Sequence, residues 1–215
     1  MTRPPIRILI LAGGHGRGSN MQAIIDACQS GQIHGRVAGV IGSVAGSPAL
    51  DRAAAAGIPA SVVPFTKDDF AGYQSAVDAA IRSFSPDLVC LAGYLKRLSP
   101  DIVRELDGRI MNIHPALIPA FCGQGMYGER VHQAVLESGA KFSGCTVHFV
   151  DEGYDTGPII MQAVVPVEDD DTPATLAARV LEQEHRIYPA AAALFAEGRL
   201  RIEARRVRTL PAPVG

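Results

Sequence analysis

Ile6-Arg7-Ile8-Leu9-Ile10-Leu11 runs directly into Ala12-Gly13-Gly14-His15-Gly16-Arg17-Gly18-Ser19-Asn20, and Met21, Ile24, Ile25 and Cys28 follow at helical spacing. An apolar run, a glycine-rich turn and an amphipathic helix open an α/β unit, in which a buried strand hands the chain to a helix lying on its sheet. Ser19 or Asn20 is the expected cap of that helix. The turn puts backbone N–H groups and the positive end of the helix dipole where a phosphate could be received. It does not match the dinucleotide fingerprint, because no GxGxxG register exists and Ile41-Gly42-Ser43 ends the second apolar run without an acid. Nor is it a P-loop, since Ser19 stands where a lysine should follow Gly18. Two readings remain: a monophosphate ester held by Gly18, Ser19 and Asn20, or a tight turn with no ligand.

The alternation continues outward from this stretch. Short β-rich runs at 36–41, 61–63, 87–92 and 109–113 each border an amphipathic segment, the signature of a parallel sheet covered by helices. A helix is expected over 48–56, ending at Gly57, and another over 68–84, stopped by Ser85-Pro86. After His114 a loop rich in proline and glycine reaches Gly128, a helix follows to Ser138, and the apolar runs 141–150 and 158–165 read as a hairpin-like, antiparallel addition. Thr172-Pro173 begins a last helix, which Pro189 should kink or divide.

With 215 residues, 47% of them hydrophobic, one substantial core and a single domain are expected over 1–215. A formal net charge of -2 gives no reason to expect nucleic acid. No apolar run approaches a membrane span and Met-Thr-Arg-Pro-Pro is not a signal peptide, so no membrane partner and a cytoplasmic location are expected. Cys28, Cys90, Cys122 and Cys145 form no CxxC pair and read as reduced structural thiols rather than a metal site, with Cys122 set apart by its glycine-rich loop.

The chemistry is concentrated in Met111-Asn112-Ile113-His114-Pro115 and in Asp155-Thr156-Gly157-Pro158. Strand alternation points Asn112 and His114 to one face, at the carboxyl end where open α/β sheets bind ligands. An amide, an imidazole and a carboxylate without a serine or cysteine nucleophile suit direct acyl transfer: Asn112 and His114 donate to a developing oxyanion, and Asp155 holds His114 protonated or relays a proton. The other histidines have plainer readings. His15 and His34 fall in polar turns, His132 on an exposed-looking helix, His185 on a solvated helical face, and His148 among apolar neighbours as a core residue with its hydrogen bonds satisfied.

These segments resemble the glycinamide ribonucleotide formyltransferase family, folate-dependent enzymes of purine biosynthesis. The likeness is carried by Gly16 to Ile24, by Leu91-Ala92-Gly93-Tyr94-Leu95-Lys96-Arg97-Leu98-Ser99-Pro100, by Met111 to Pro115, by Gly144-Cys145-Thr146-Val147-His148-Phe149-Val150 and by Asp155 to Ile160, in the family's order. The resemblance implies a Rossmann-like, mostly parallel sheet flanked by helices, with a phosphate-binding N-terminal half and a folate-binding, catalytic C-terminal half. It implies Asn112, His114 and Asp155 as catalytic residues, Gly18, Ser19 and Asn20 on the substrate phosphate, and Glu184 on the ribose hydroxyls. The co-substrate would be 10-formyltetrahydrofolate, its pterin against Leu95, Lys96, Arg97 and Leu98 and the loop of Asp151, Glu152, Gly153 and Tyr154. No metal is expected, and either a monomer or a homodimer fits the sequence. The glycine loop is longer than the family's usual one at Ala12 to His15, Gly42-Ser43-Val44 replaces a common Ser-Asn, and 121–128 is a long variant of the loop after the catalytic strand.

Four rivals share parts of this pattern. A formyltetrahydrofolate hydrolase would carry the same trio behind an N-terminal regulatory domain, and a methionyl-tRNA formyltransferase would bring a C-terminal domain and a basic surface. A sugar-nucleotide formyltransferase would need a different substrate pocket. A folate- or nucleotide-binding module would keep the fold and lose the chemistry.

Overall fold

The computed structural model describes residues 4–14 and 16–212, in two compact units, one ending at Met111 and one beginning at Asn112. His15, expected in a polar turn, lies outside the described residues.

In the first unit β1 (Ile6–Ala12), β2 (Gly35–Gly42), β3 (Ala60–Val62) and β4 (Leu88–Ala92) lie in the order β3-β2-β1-β4, with every pair parallel. Ile8, Leu9, Ile10 and Leu11 are all 0% exposed. A run without polar alternation is what a parallel strand covered on both faces requires. Four helices supply the cover: α1 (Ser19–Gln29), α2 (Pro48–Ala55), α3 (Phe70–Phe84) and α4 (Pro100–Glu105). α1 buries Met21, Ile24 and Ile25, each worth about 1.5–3 kcal/mol of transfer free energy. Its cap differs from the expectation: Gly18 is the N-cap, at φ +70, and no side chain caps the helix. Only glycine enters that left-handed conformation without strain, so the turn geometry displaced Ser19 into the helix.

α4 was not anticipated, although Ser99-Pro100 carries its signal: Ser99 Oγ accepts from the Ile102 N–H at 3.1 Å, and proline occupies the first turn. The chain winds from β1 to β2 and β3 on one side and then to β4 on the other, so the carboxyl ends of β1 and β4 form a topological switch point. Gly13 and Gly93 meet there, and a Cβ on Gly13 would land on the Gly93 carbonyl.

The second unit takes in the end of β5 (Ile110–His114), from Asn112 on, with α5 (Glu129–Ser138), β6 (Phe142–Phe149), β7 (Ile159–Pro166), α6 (Pro173–Ala196), β8 (Leu200–Glu203) and β9 (Arg206–Thr209), in strand order β5-β6-β7-β9-β8. The pairs β6–β7 and β8–β9 are antiparallel. The fold is therefore the expected α/β class, mostly parallel strands flanked by helices with antiparallel strands in the C-terminal half.

Pro189 does not divide α6, which runs unbroken for 24 residues. Its neighbours Ile187, Tyr188, Ala191 and Ala192 are buried, and that packing outweighs one missing backbone hydrogen bond. The β8–β9 hairpin was also unforeseen. Its turn is Ala204-Arg205 rather than the glycine or asparagine pair that announces such turns, and Ala204 takes φ +54. Among the described residues no helix is long and apolar enough to cross a membrane.

Candidate active site

β5 ends with Asn112 half-buried and His114 at 4% exposure, two residues apart and so on one face of the strand. The segment that follows is fastened to the β6–β7 pair. Thr146 Oγ1 donates to the Ala116 carbonyl at 2.7 Å and accepts from the Ile118 N–H at 3.1 Å, while Gln162 Nε2 donates to the Ile118 carbonyl at 3.1 Å. Thr146 and Gln162 are direct cross-strand partners, so the register of one ladder fixes the exit from β5. That ladder shifts between Val147 and His148, where Met161 and Ile159 are the successive partners. Bulges of this kind re-aim a side chain, and here the side chain is His148.

The β6–β7 loop supplies the carboxylate. Asp151 Oδ1 accepts from the Gly153 N–H at 3.0 Å and the Thr156 hydroxyl at 2.6 Å, an internal brace for residues 151–156. Gly157 lies so close to β6 that a Cβ would overlap the Phe149 carbonyl, and Asp155 itself stands at φ +54. A non-glycine residue in the left-handed region costs roughly 1–2 kcal/mol, which the surrounding bonds must offset.

Those bonds close a compact polar centre. Asp155 Oδ2 accepts from the Gly123 N–H at 2.9 Å and lies 3.6 Å from His114 Nδ1; Asp155 Oδ1 lies 3.6 Å from His148 Nε2. Asn112 Nδ2 meets His148 Nε2 at 3.2 Å, and His148 Nδ1 meets the Phe149 carbonyl at 2.8 Å. The carbonyl accepts only, so by the hydrogen-bond network His148 carries its proton on Nδ1 and its Nε2 receives one N–H of Asn112. His114 Nε2 lies 2.9 Å from the Phe121 carbonyl, again an acceptor, so His114 carries a proton on Nε2 and turns Nδ1 to Asp155.

Charge within this centre is set by competition. Burial drives the His114 pKa down and outweighs the opposing pull of Asp155 and the Phe121 carbonyl, so the imidazole is held below its ordinary range. Of the two roles the sequence left open for Asp155, holding His114 protonated or relaying a proton, burial opposes the first: Asp155 acts in the expected direction, and desolvation outweighs it. Burial opposes ionisation of Asp155 too, yet His148, the Gly123 N–H and His114 together hold its pKa below the usual carboxylate range.

Several histidine readings change. His148 is buried with its bonds satisfied, as expected, but its partners are Asn112 and the Phe149 carbonyl and its Nε2 lies 3.6 Å from Asp155 Oδ1, making it part of the centre. Only its alternation with apolar residues was visible in the sequence, and that signal hides a bulge. His132 is 3% exposed rather than solvated, and burial together with the His114 charge lowers its pKa. His185 is half-buried, with its pKa lowered by burial. All four cysteines are free thiols; burial and the Asp155 charge push the Cys122 thiol up, away from reactivity.

Other expected ligand residues are distributed over both units. Gly18, Ser19 and Asn20 form the start of α1, whose first turn holds no acidic residue. Arg52 of α2, unremarked in the sequence, reaches this turn and donates from Nε to the Arg17 carbonyl at 2.8 Å. After β4, Tyr94 and Leu98 are buried while Leu95 is 53% exposed, and Lys96 Nζ rests 3.6 Å above the Phe65 ring. Arg97 is exposed and its carbonyl accepts from Gln74 Nε2 at 3.2 Å. In the second unit Glu152, Gly153 and Tyr154 are exposed beside the braced Asp151. Glu184 is on the buried face of α6, and burial plus its charge push the Cys145 thiol up to about 12.

Comparison with known proteins places this arrangement. The formyl transferase family profile matches residues 6–192. The chain belongs to the formyl transferase family. A chloroplastic phosphoribosylglycinamide formyltransferase of Vigna unguiculata is 46% identical over 175 residues, covering 80% of this chain and 56% of the relative. The chain thus spans little more than half the length of that relative. The phosphoribosylglycinamide formyltransferase of Haemophilus influenzae is 41% identical over 191 residues, covering 87% of each. The solved glycinamide ribonucleotide transformylase 1 of Symbiobacterium toebii superposes with a TM-score of 0.88 at 45% identity, covering 96% of this chain and 95% of that one. The family profile spans β1 through most of α6, so both the glycine turn and the Asn112–His114–Asp155 centre fall within the shared region.

Proposed function

We propose that the chain transfers the formyl group of 10-formyltetrahydrofolate to the amine of glycinamide ribonucleotide, in purine biosynthesis. The observation that carries this reading is the convergence of an amide donor, an imidazole and an ionised carboxylate at Asn112, His114 and Asp155, inside a family of formyl transferases. The co-substrate supplies a formyl carbon attached to nitrogen, and the acceptor supplies a neutral amine. Asn112 offers its second N–H to the oxygen that gains negative charge as the amine attacks. His114 accepts or returns a proton at Nδ1, and Asp155 favours the protonated form while charge develops. The carbon–nitrogen bond to the folate then breaks, and the proton lost by the amine is returned to the leaving nitrogen. The loop Asp151 to Tyr154 and the segment Leu95 to Leu98 are assigned to the pterin, and Glu184 to the ribose hydroxyls.

Gly18, Ser19 and Asn20 are assigned to the phosphate of the acceptor. An uncapped, acid-free helix start at the switch point supports that assignment, because first-turn N–H groups and the dipole both favour an anion. Holding the amine within about 3 Å of the formyl carbon converts a dilute encounter into an intramolecular one. The protein is expected to act in the cytoplasm as a monomer or homodimer. Steady-state turnover with and without the acceptor, beside His114→Ala, tests the proposal. Acceptor-dependent transfer lost in the variant supports it; formate release without acceptor indicates the hydrolase, and silence in both assays a binding module.

A further inference from the structure

Two backbone groups of one short segment meet two ionisable members of the centre, His114 and Asp155. The Phe121 carbonyl accepts from His114 Nε2 at 2.9 Å, and two residues later the Gly123 N–H donates to Asp155 Oδ2 at 2.9 Å. The segment is shaped for this. Its start is held by Thr146 and Gln162 at Ala116 and Ile118, and the Ala120 N–H returns to the Leu117 carbonyl at 3.0 Å. Phe121 then stands at φ +51 and Gly123 at φ +96. A phenylalanine does not enter the left-handed region unless its surroundings compel it, and the turn it makes aims its carbonyl at His114.

We propose that the backbone of Phe121 and Gly123 is a positioning clasp that ties the His114 proton to Nε2 and so assigns proton exchange to Nδ1, the nitrogen beside Asp155. Neutral imidazole has one donor and one acceptor nitrogen, and a partner that only accepts decides which is which. With Nε2–H engaged by Phe121, the lone pair of His114 faces the Asp155 carboxylate across 3.6 Å. A proton taken up there lies between the ring and a carboxylate whose other contact on the same oxygen, the Gly123 N–H, comes from the same clasp. One turn of backbone therefore sets both the orientation of the base and the placement of its counter-charge. The groups facing His114 are Asp155 from the β6–β7 loop, His148 from β6, His132 from α5 and the clasp itself. The catalytic consequence rests on the formyl-transfer reading, whereas the tautomer does not.

The test uses two substitutions that both delete the Phe121 ring and differ in backbone freedom, proline also lacking the backbone N–H. Proline, with φ fixed near about -65°, cannot adopt the native turn, while glycine adopts it without strain. In ligand-free protein labelled with 15N-histidine, wild type and Phe121→Gly should show His114 with a bare Nδ1 and an exchange-protected Nε2–H. Phe121→Pro should lose the protected proton, and its kcat should fall about 10- to 100-fold with KM changed little. A wild-type His114 carrying its proton on Nδ1, or a protected Nε2–H that persists in a folded Phe121→Pro, overturns the clasp. The wild-type spectrum alone decides the point should the proline variant not fold. Intact His114 signals with no turnover in any protein would leave the clasp standing and remove the formyl-transfer reading.

Discussion

In the first unit the candidate anion site is a glycine turn between β1 and α1, offering backbone N–H groups and a helix terminus. In the second, the polar centre is made of side chains delivered by the end of β5, a bulge in β6 and a braced loop. A backbone site needs conformations rather than identities, so its demands fall on glycine; a side-chain site needs identities, and its conformations are imposed by packing elsewhere. Losses in the second should therefore appear in the rate of chemistry, and losses in the first in the capture of the phosphorylated acceptor.

Asp155→Asn is expected to have the largest effect. It keeps the shape and the Gly123 contact but removes the charge that favours protonated His114, and general acid–base assistance of this kind is worth about 100- to 10,000-fold. The fall should lie in kcat, and the bell of the pH–rate profile should lose the limb that belongs to the His114–Asp155 couple. A variant with near-normal kcat would show that the carboxylate only braces the loop. Asn112→Ala follows, with about 100- to 1000-fold lost from kcat and KM nearly unchanged, as for removal of one oxyanion donor. It also leaves His148 Nε2 without its amide partner, so Asn112→Asp, of the same size but acceptor-only, should be no better. Near-normal turnover in the Asn112→Asp variant would remove the donor role.

What could be read from the sequence divides along the same line. Asn112, His114 and Asp155 were legible because strand alternation, a strand end and a second polar loop are one-dimensional patterns. The parallel β1 to β4 series was legible for the same reason, as was the β6–β7 pair. His148 was hidden because a bulge breaks the period that would have exposed it, and the Phe121 and Gly123 contacts were hidden because backbone groups carry no residue code. The balance of charge at His114 was not legible, because burial, a property of the folded surroundings, outweighs the neighbour that the sequence names. The β8–β9 hairpin escaped because Ala204 takes a turn conformation that its type does not advertise.

Gly18→Ala probes the backbone region. The new Cβ would have to adopt φ +70 and would approach Ala49 Cα at 3.0 Å, so either α1 shifts at its start or the strain remains. Strain of this kind costs about 1–2 kcal/mol. Spread between stability and binding, it should raise KM for the phosphorylated acceptor up to about tenfold, since about 1.4 kcal/mol is a factor of ten, with kcat changed little. KM for the folate should not follow. A fall in kcat as large as that of Asn112→Ala would mean that the turn positions the reacting groups and not merely the phosphate.

The smallest effect, and the one that separates the two units most directly, is their opposite response to acid. In the second unit burial holds His114, His132 and His185 below the ordinary histidine pKa, so in that window the unfolded chain binds protons that the folded unit refuses. Stability rises with pH wherever the unfolded state binds more protons. The contribution of these three histidines is therefore fully present above about pH 6.5 and is lost as pH falls toward their folded values. Asp155, held low in the folded state, adds a loss in the same direction at still lower pH. The first unit contains the reverse case: burial raises the pKa of Asp78 despite the Ser99 hydroxyl and Arg82, so its folded form retains a proton that the unfolded chain gives up. Acidification through that window favours the first unit through Asp78, and Glu105, held low by its hydrogen bond from Arg82, offsets part of that gain. Hydrogen exchange followed from about pH 7 to about pH 4.5 should accordingly show amides of α5 and α6 losing protection before those of α1 and α3. Simultaneous loss in all four helices would mean that the two units unfold as one cooperative body, in which the histidine deficit is shared by the whole chain.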